Sequence, residues 1–178
     1  MTTVNTRSRY STLSIGLHWL MFLLIVAAYV AMELREGYPR GSDTRELFKS
    51  IHYMVGLSVL GLVIVRLATR LLTPGPVPLE EPVWRSLMSK AVHAALYGFM
   101  IAMPVLGWLI LSGEGDSIPF GLPALSGTDE GLAHQMEELH EAGGNLGYLL
   151  VGLHAAAALF HHYVLRDGLM NRMRLGQS

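Results

Sequence analysis

The sequence predicts an all-α integral membrane protein, a bundle of four spanning helices. Three observations carry that expectation. Hydrophobic residues make up 51% and charged residues 15% of the 178 positions, against about 25% charged in an ordinary soluble domain. Mean hydropathy is +0.38. Four long runs are almost free of charge, and each is bounded by Lys, Arg or Glu. A chain of this length makes one domain, residues 1–178. Its apolarity excludes a disordered chain. Its net charge of −1 excludes a basic nucleic-acid binder. The lipid bilayer is the first expected partner.

The first run, residues 10–32, lies between Arg9 and Glu33. Arg7 and Arg9 precede it as they would a signal peptide, but it is too long for one and no A-x-A site closes it. It is therefore expected to stay as a helix. The second run, 50–65, continues in apolar pattern to Leu72. It reaches the ~20 residues that a crossing needs if Arg66 and Arg70 snorkel. The third is 91–113, with Pro104 predicting a kink, and the fourth is 142–165. Between the second and third, residues 73–78 read TPGPVP and Pro82 follows, a stiff extended linker. Between the third and fourth come FGLP at 120–123 and a short amphipathic helix from about Thr128, with Asp129 and Glu130 in its first turn.

Charge in the connections sets the orientation. Residues 112–139 contain no Lys or Arg but six carboxylates, among them Glu114, Asp116 and Asp129, so this connection is expected outside. Both termini are then cytoplasmic. The first connection departs from the rule, because it holds Arg35, Arg40, Arg45 and Lys49 and must also lie outside.

There is no cysteine, which excludes disulfides, cysteine-held iron–sulfur clusters, thioether-attached haem and thiolate nucleophiles. Any cofactor needs other ligands, and eight histidines are available. Ionisable groups in membrane spans are costly and usually functional. His140 and His154 are fourteen residues apart on one helical stripe, ~21 Å along the axis. Gly147 lies midway, with Gly143 and Gly144 nearby, leaving room for something flat. His52 matches His140 in depth on the outer side, and His18 matches His154 on the inner side. Two imidazoles on each side fit two stacked haems in a four-helix bundle. By depth alone, His161 or His93 could replace an inner ligand. A single membrane histidine is more often a helix–helix hydrogen-bonder. Zinc would want four clustered ligands, and no HExxH or Cys/His cluster is present. His134 reads as a surface residue. The ten methionines are further axial donors in principle, although their pattern suits packing and lipid contact.

SIGLHWLMFLLIVAAYVAME (14–33), IHYMVG (51–56), IAMPVLG (101–107) and NLGYLLVGLHAAAALFHHY (145–163) resemble the bacterial cytochrome b-561 family over nearly the whole chain. The last motif is the most specific. The resemblance implies an inner-membrane four-helix bundle holding two noncovalent b haems. It implies His18 and His154 as ligands of the inner haem iron, His52 and His140 as those of the outer, and His93 as a non-ligand nearby. It further implies an oxidoreductase that oxidises superoxide on the periplasmic side and passes electrons to ubiquinone.

A bis-histidine haem has no open axial position and favours electron transfer. The basic residues Arg35, Arg40, Arg45 and Lys49 would steer superoxide to the outer haem. Against this, Glu36, Asp43 and Glu46 leave only +1 over residues 35–49, and Glu33 cancels that. Arg66 and Arg70 are candidates for inner haem propionates, and Ser14, His161 and His162 for the quinone carbonyls. An alternative is a cytochrome b subunit passing electrons from a partner dehydrogenase or hydrogenase to quinone. The tails of about ten residues each argue for a protein with no obligate protein partner. A non-redox membrane protein using its histidines for packing is the reading from another class.

Overall fold

The structure is a computed structural model that describes residues 9–77 and 81–174. Arg7 and Pro78, which figure in the sequence reading, lie outside the described residues. Four long helices appear: α1 (Thr12–Glu36), α2 (Asp43–Leu72), α3 (Val83–Glu114) and α4 (Glu130–Phe160). All four are long and apolar enough to cross a membrane. The first and last described residues, the end of α2 and the start of α3 lie at one end of the bundle, called here the terminus end. The α1–α2 and α3–α4 connections lie at the other, the hairpin end.

Local chemistry sets the helix boundaries. Ser11 accepts from the Ser14 N–H, Ser42 from that of Arg45 and Asp129 from that of Leu132, each satisfying a donor with no partner in the first turn. Helix α3 ends in a Schellman motif. Gly115 takes φ 75°, its N–H reaches the Ser112 carbonyl, and the Asp116 N–H reaches that of Leu111. The Gly113 carbonyl then accepts the Asp129 N–H at 2.9 Å, closing the α3–α4 hairpin. A Cβ on Gly113 would stand 2.9 Å from the Asp129 carbonyl oxygen, so only glycine allows that approach.

Three helices run further than the charge-free runs suggest. Helix α2 starts at Asp43, which puts Arg45 and Lys49 in its opening turns instead of in a loop. Helix α3 starts at Val83, directly after Pro82. The short amphipathic helix and the fourth span are one element. Helix α4 continues unbroken through Gly143 and Gly144, and at 31 residues is ~46 Å long, well beyond a ~30 Å hydrocarbon core. Tertiary contact supplies what helix propensity lacks there, since Gly143 packs against Met103 and the Gly144 carbonyl accepts from Tyr29. Helix α3 runs through Pro104, which is buried. After Phe160 the chain makes a π turn (His161–Leu165) and then a 3-10 turn (Leu169–Met173).

Helix α1 packs mainly on α2, and α3 mainly on α4, with α2 and α3 joining the two hairpins. The small core is built on Met21, Val59 and Val63, with Leu24, Ile25 and Tyr97 against it. Leu23, Ile64 and Leu159 are more than half exposed, as lipid-facing residues should be. The last described residues fold back over the terminus end. Trp19 Nε1 donates to the Met173 carbonyl at 3.1 Å, and Arg172 to that of Val77 at 2.7 Å.

Candidate functional site

Helices α1, α2 and α4 bring four histidines together in two pairs, one towards each end of the bundle. At the hairpin end, His52 of α2 faces His140 of α4, with ring centroids 5.9 Å apart. At the terminus end, His18 of α1 faces His154 of α4 at 6.1 Å. His93 of α3 approaches the same His154 more closely, at 5.3 Å.

The hairpin-end pair opens on a cavity of about 380 Å³, lined by both imidazoles, Tyr29, Gly56, Pro104 and Gly144 among others. His52 Nδ1 lies 3.0 Å from the Ala28 carbonyl oxygen. A carbonyl only accepts, so Nδ1 carries the proton and Nε2 keeps its lone pair. His140 rests against α3 at Gly107, where a Cβ would come within 3.5 Å of its ring. Its Nδ1 is buried towards the Met103 backbone of α3 and makes no well-formed hydrogen bond among the described residues. An imidazole oriented by a backbone carbonyl, facing a second imidazole across a cavity, fits a metal-centred group between them. Among the described residues, no group of three or more His, Cys, Asp or Glu could hold a bare metal ion, which disfavours zinc.

The two pairs are walled off from one another. The space above Gly147, read from sequence as room for a flat group, is taken by the Tyr29 hydroxyl and the Phe99 ring. Tyr29 donates to the Gly144 carbonyl at 2.8 Å and lies 4.4 Å from the Tyr148 ring. The Tyr148 hydroxyl in turn donates to Glu33 at 2.7 Å. Gly144 has open space above it and lines the cavity instead. Sequence reasoning missed Tyr29, Phe99 and Tyr148. The only signal was the bare Gly147 between two large aromatics on other helices.

The other candidates fall in three places. Arg66 is half-buried near His18 and His154 and donates to the Ser14 carbonyl at 3.2 Å, while Arg70 is exposed. The Ser14 hydroxyl accepts from that of Ser11 at 3.0 Å. His161 Nδ1 hydrogen-bonds Asp167, and His162 is exposed against Tyr163. Burial works to raise the Asp167 carboxyl, but the His161 contact and the Leu169 N–H outweigh it and hold the group below its ordinary value. His134 is exposed, 3.9 Å from Glu138.

At the hairpin end, Arg35 and Arg45 both hold Glu36, at 2.7 and 3.3 Å, and Lys49 holds Glu46 at 3.1 Å. Arg45 also donates to the Arg35 and Tyr38 carbonyls. Arg40 is exposed in the connection, contributing to the field at Glu36 without an ion pair of its own among the described residues.

Residues 9–176 match the family model described as prokaryotic cytochrome b561. A protein named cytochrome b561 homolog 1, from Escherichia coli (strain K12), is 34% identical over 171 residues, covering 93% of this chain and 97% of the relative. A Yersinia pestis protein named probable superoxide oxidase CybB is 38% identical over 170 residues, covering 93% and 95%. Cytochrome b561 homolog 2 of Escherichia coli (strain K12) is 30% identical, covering 100% and 97%.

Proposed function

The chain belongs to the prokaryotic cytochrome b561 family, membrane electron-transfer proteins with b-type haem, and on that premise we propose that it carries two haems in series and moves electrons from superoxide to ubiquinone. The observation that carries the two-haem reading is the pair of separations, 5.9 and 6.1 Å. Two metal–imidazole bonds of about 2.0–2.1 Å each, with each ring centroid ~1 Å behind its nitrogen, sum to about 6 Å. His52 and His140 would hold one haem, His18 and His154 the other. When bound, the haems would supply two one-electron carriers.

The chain's own residues do the rest. The Ala28 carbonyl fixes the His52 tautomer and presents Nε2 to the cavity. Tyr29 and Phe99 fill the space over Gly147 between the two sites. Arg66, half-buried beside the second pair, offsets haem propionate charge, with Arg70 at the surface beyond it. The acidic 112–139 connection supports a periplasmic hairpin end and cytoplasmic termini in the bacterial inner membrane. Superoxide then meets the hairpin end, where Arg35, Arg40, Arg45 and Lys49 set the local potential. Each of two superoxide ions loses one electron and leaves as oxygen. Ubiquinone takes the two electrons and two protons at the terminus end, where Ser14, His161 and His162 offer hydrogen bonds.

Support for superoxide comes from the name of the Yersinia pestis relative. The pairing of Arg35, Arg45 and Lys49 with carboxylates favours a second reading, in which a partner dehydrogenase or hydrogenase docks on this end and supplies the electrons. The test is stopped-flow addition of superoxide to the purified oxidised protein, followed by ubiquinone. Reduction of the haem Soret band by superoxide and reoxidation by the quinone is the expected result. A protein that superoxide does not reduce, but that co-purifies with a reducing partner, establishes the second reading.

A further inference from the structure

The two histidine pairs differ in how their rings are held. At the hairpin end, His52 is oriented by the Ala28 carbonyl. Among the described residues, neither His18 nor His154 has a comparable bond to a carbonyl or carboxylate. His154 has instead a second imidazole beside it. We propose that His93 is a positioning residue for His154, accepting its Nδ1–H while His154 Nε2 binds iron. This rests on the reading of His18 and His154 as the ligands of one haem.

The argument starts from the protons. His93 Nδ1 lies 2.6 Å from the Ser89 carbonyl oxygen, one turn back on α3. That oxygen only accepts, so the proton of the neutral ring sits on Nδ1 and Nε2 is a bare acceptor. A histidine that binds a metal through Nε2 carries its remaining proton on Nδ1 and needs an acceptor for it. Among the described residues, the other rings and charges facing His154 are His18, the opposite ligand of the pair, and Arg66, which has no lone pair to offer.

Distance separates the two roles. A direct N–H···N bond of about 2.9 Å between two imidazoles puts their centroids about 5 Å apart, too close to admit a metal between them. His93 and His154 stand 5.3 Å apart at 82°, an edge-on approach without a formed hydrogen bond. His18 and His154 stand 6.1 Å apart. Loading iron on His154 fixes its Nδ1 proton, and the contact with His93 then becomes the donor–acceptor pair.

An accepted hydrogen bond makes the ligand imidazole more basic and favours ferric iron. The experiment is a redox titration of the holoprotein with low-spin haem electron paramagnetic resonance, on wild type, His93→Leu, His93→Phe and His93→Gln. In the apolar variants we expect both haems to remain, one midpoint potential to rise, and the resonance of that haem alone to shift. In His93→Gln, whose amide oxygen can accept, potential and resonance should return most of the way to wild type. Two haems with unchanged potentials in both apolar variants overturn the proposal. Loss of one haem from all three variants makes His93 a ligand and also overturns it. The underlying reading fails separately: His154→Ala or His18→Ala retaining two haems refutes the pair itself, whatever the His93 variants do.

Discussion

The two ends of the bundle solve the same problem differently. At the hairpin end, both histidines sit against backbone: His52 on the Ala28 carbonyl and His140 on the bare face of α3 at Gly107. At the terminus end, the histidines sit among side chains, with His93 and Arg66 beside them. A site built on backbone is insensitive to side-chain substitution around it. A site built on side chains can be tuned, and each of its neighbours is a lever. Helix α4 contributes to both, so the difference comes from the helices opposite it.

The sharpest way to break this comparison is to remove one histidine at a time. His52→Ala or His140→Ala should lose the hairpin-end haem and keep the other. His18→Ala or His154→Ala should do the reverse. A pyridine haemochrome count falling from two to one checks each case, and visible spectra identify the survivor. His161→Ala should keep both, because its ring lies against Asp167 and Phe160 and not in the His18–His154 pair. A variant of His161 that loses a haem while His154→Ala keeps both would overturn the terminus-end assignment.

The wall between the ends gives the next effect. Gly147→Ala should destabilise the protein by about 1–3 kcal/mol, since the new methyl meets Tyr29 and Phe99. Gly144→Ala, with nothing within 4 Å, should cost far less stability and act through the cavity that it lines. Thermal unfolding in detergent, compared with wild type, separates the two. Equal losses would mean that the wall is not tightly packed. Tyr29→Phe should cost less than Gly147→Ala, about 0.5–1.5 kcal/mol, for the single hydrogen bond to the Gly144 carbonyl.

The smallest effect belongs to the basic residues at the hairpin end. Arg40→Gln should slow superoxide-driven haem reduction by no more than about tenfold at low salt, with the difference fading at high salt. Lys49→Gln should do less, because Glu46 already neutralises that charge. Stopped-flow rates at two ionic strengths measure both. No dependence on salt or on Arg40 would remove this face from the route of the donor.

The four spans and the depths of their histidines were legible in the sequence. Hydropathy is a local property, and a helix rises by a constant ~1.5 Å per residue, so counting along the chain places His52 level with His140 and His18 level with His154. Local signals also put Asp129 and Glu130 at the start of a helix, where Asp129 is the cap and Glu130 opens the first turn. Other features depended on which helix faces meet, and no residue count contains that. Helix α4 continues through Gly143 and Gly144 because Met103 and Tyr29 pack there. The room at Gly147 went to Tyr29 and Phe99 because α1 and α3 turn those rings inward. Arg35 and Arg45 converge on one carboxylate because α2 begins seven residues earlier than its charge-free run, carrying Arg45 back to Glu36. His93 was visible only as a fifth histidine of suitable depth. Its place beside His154, with Nδ1 turned to the Ser89 carbonyl, was decided by the rotation of α3 against α4. Helix rotation is set by many weak side-chain contacts between distant segments, and that sum exists only once the bundle has packed.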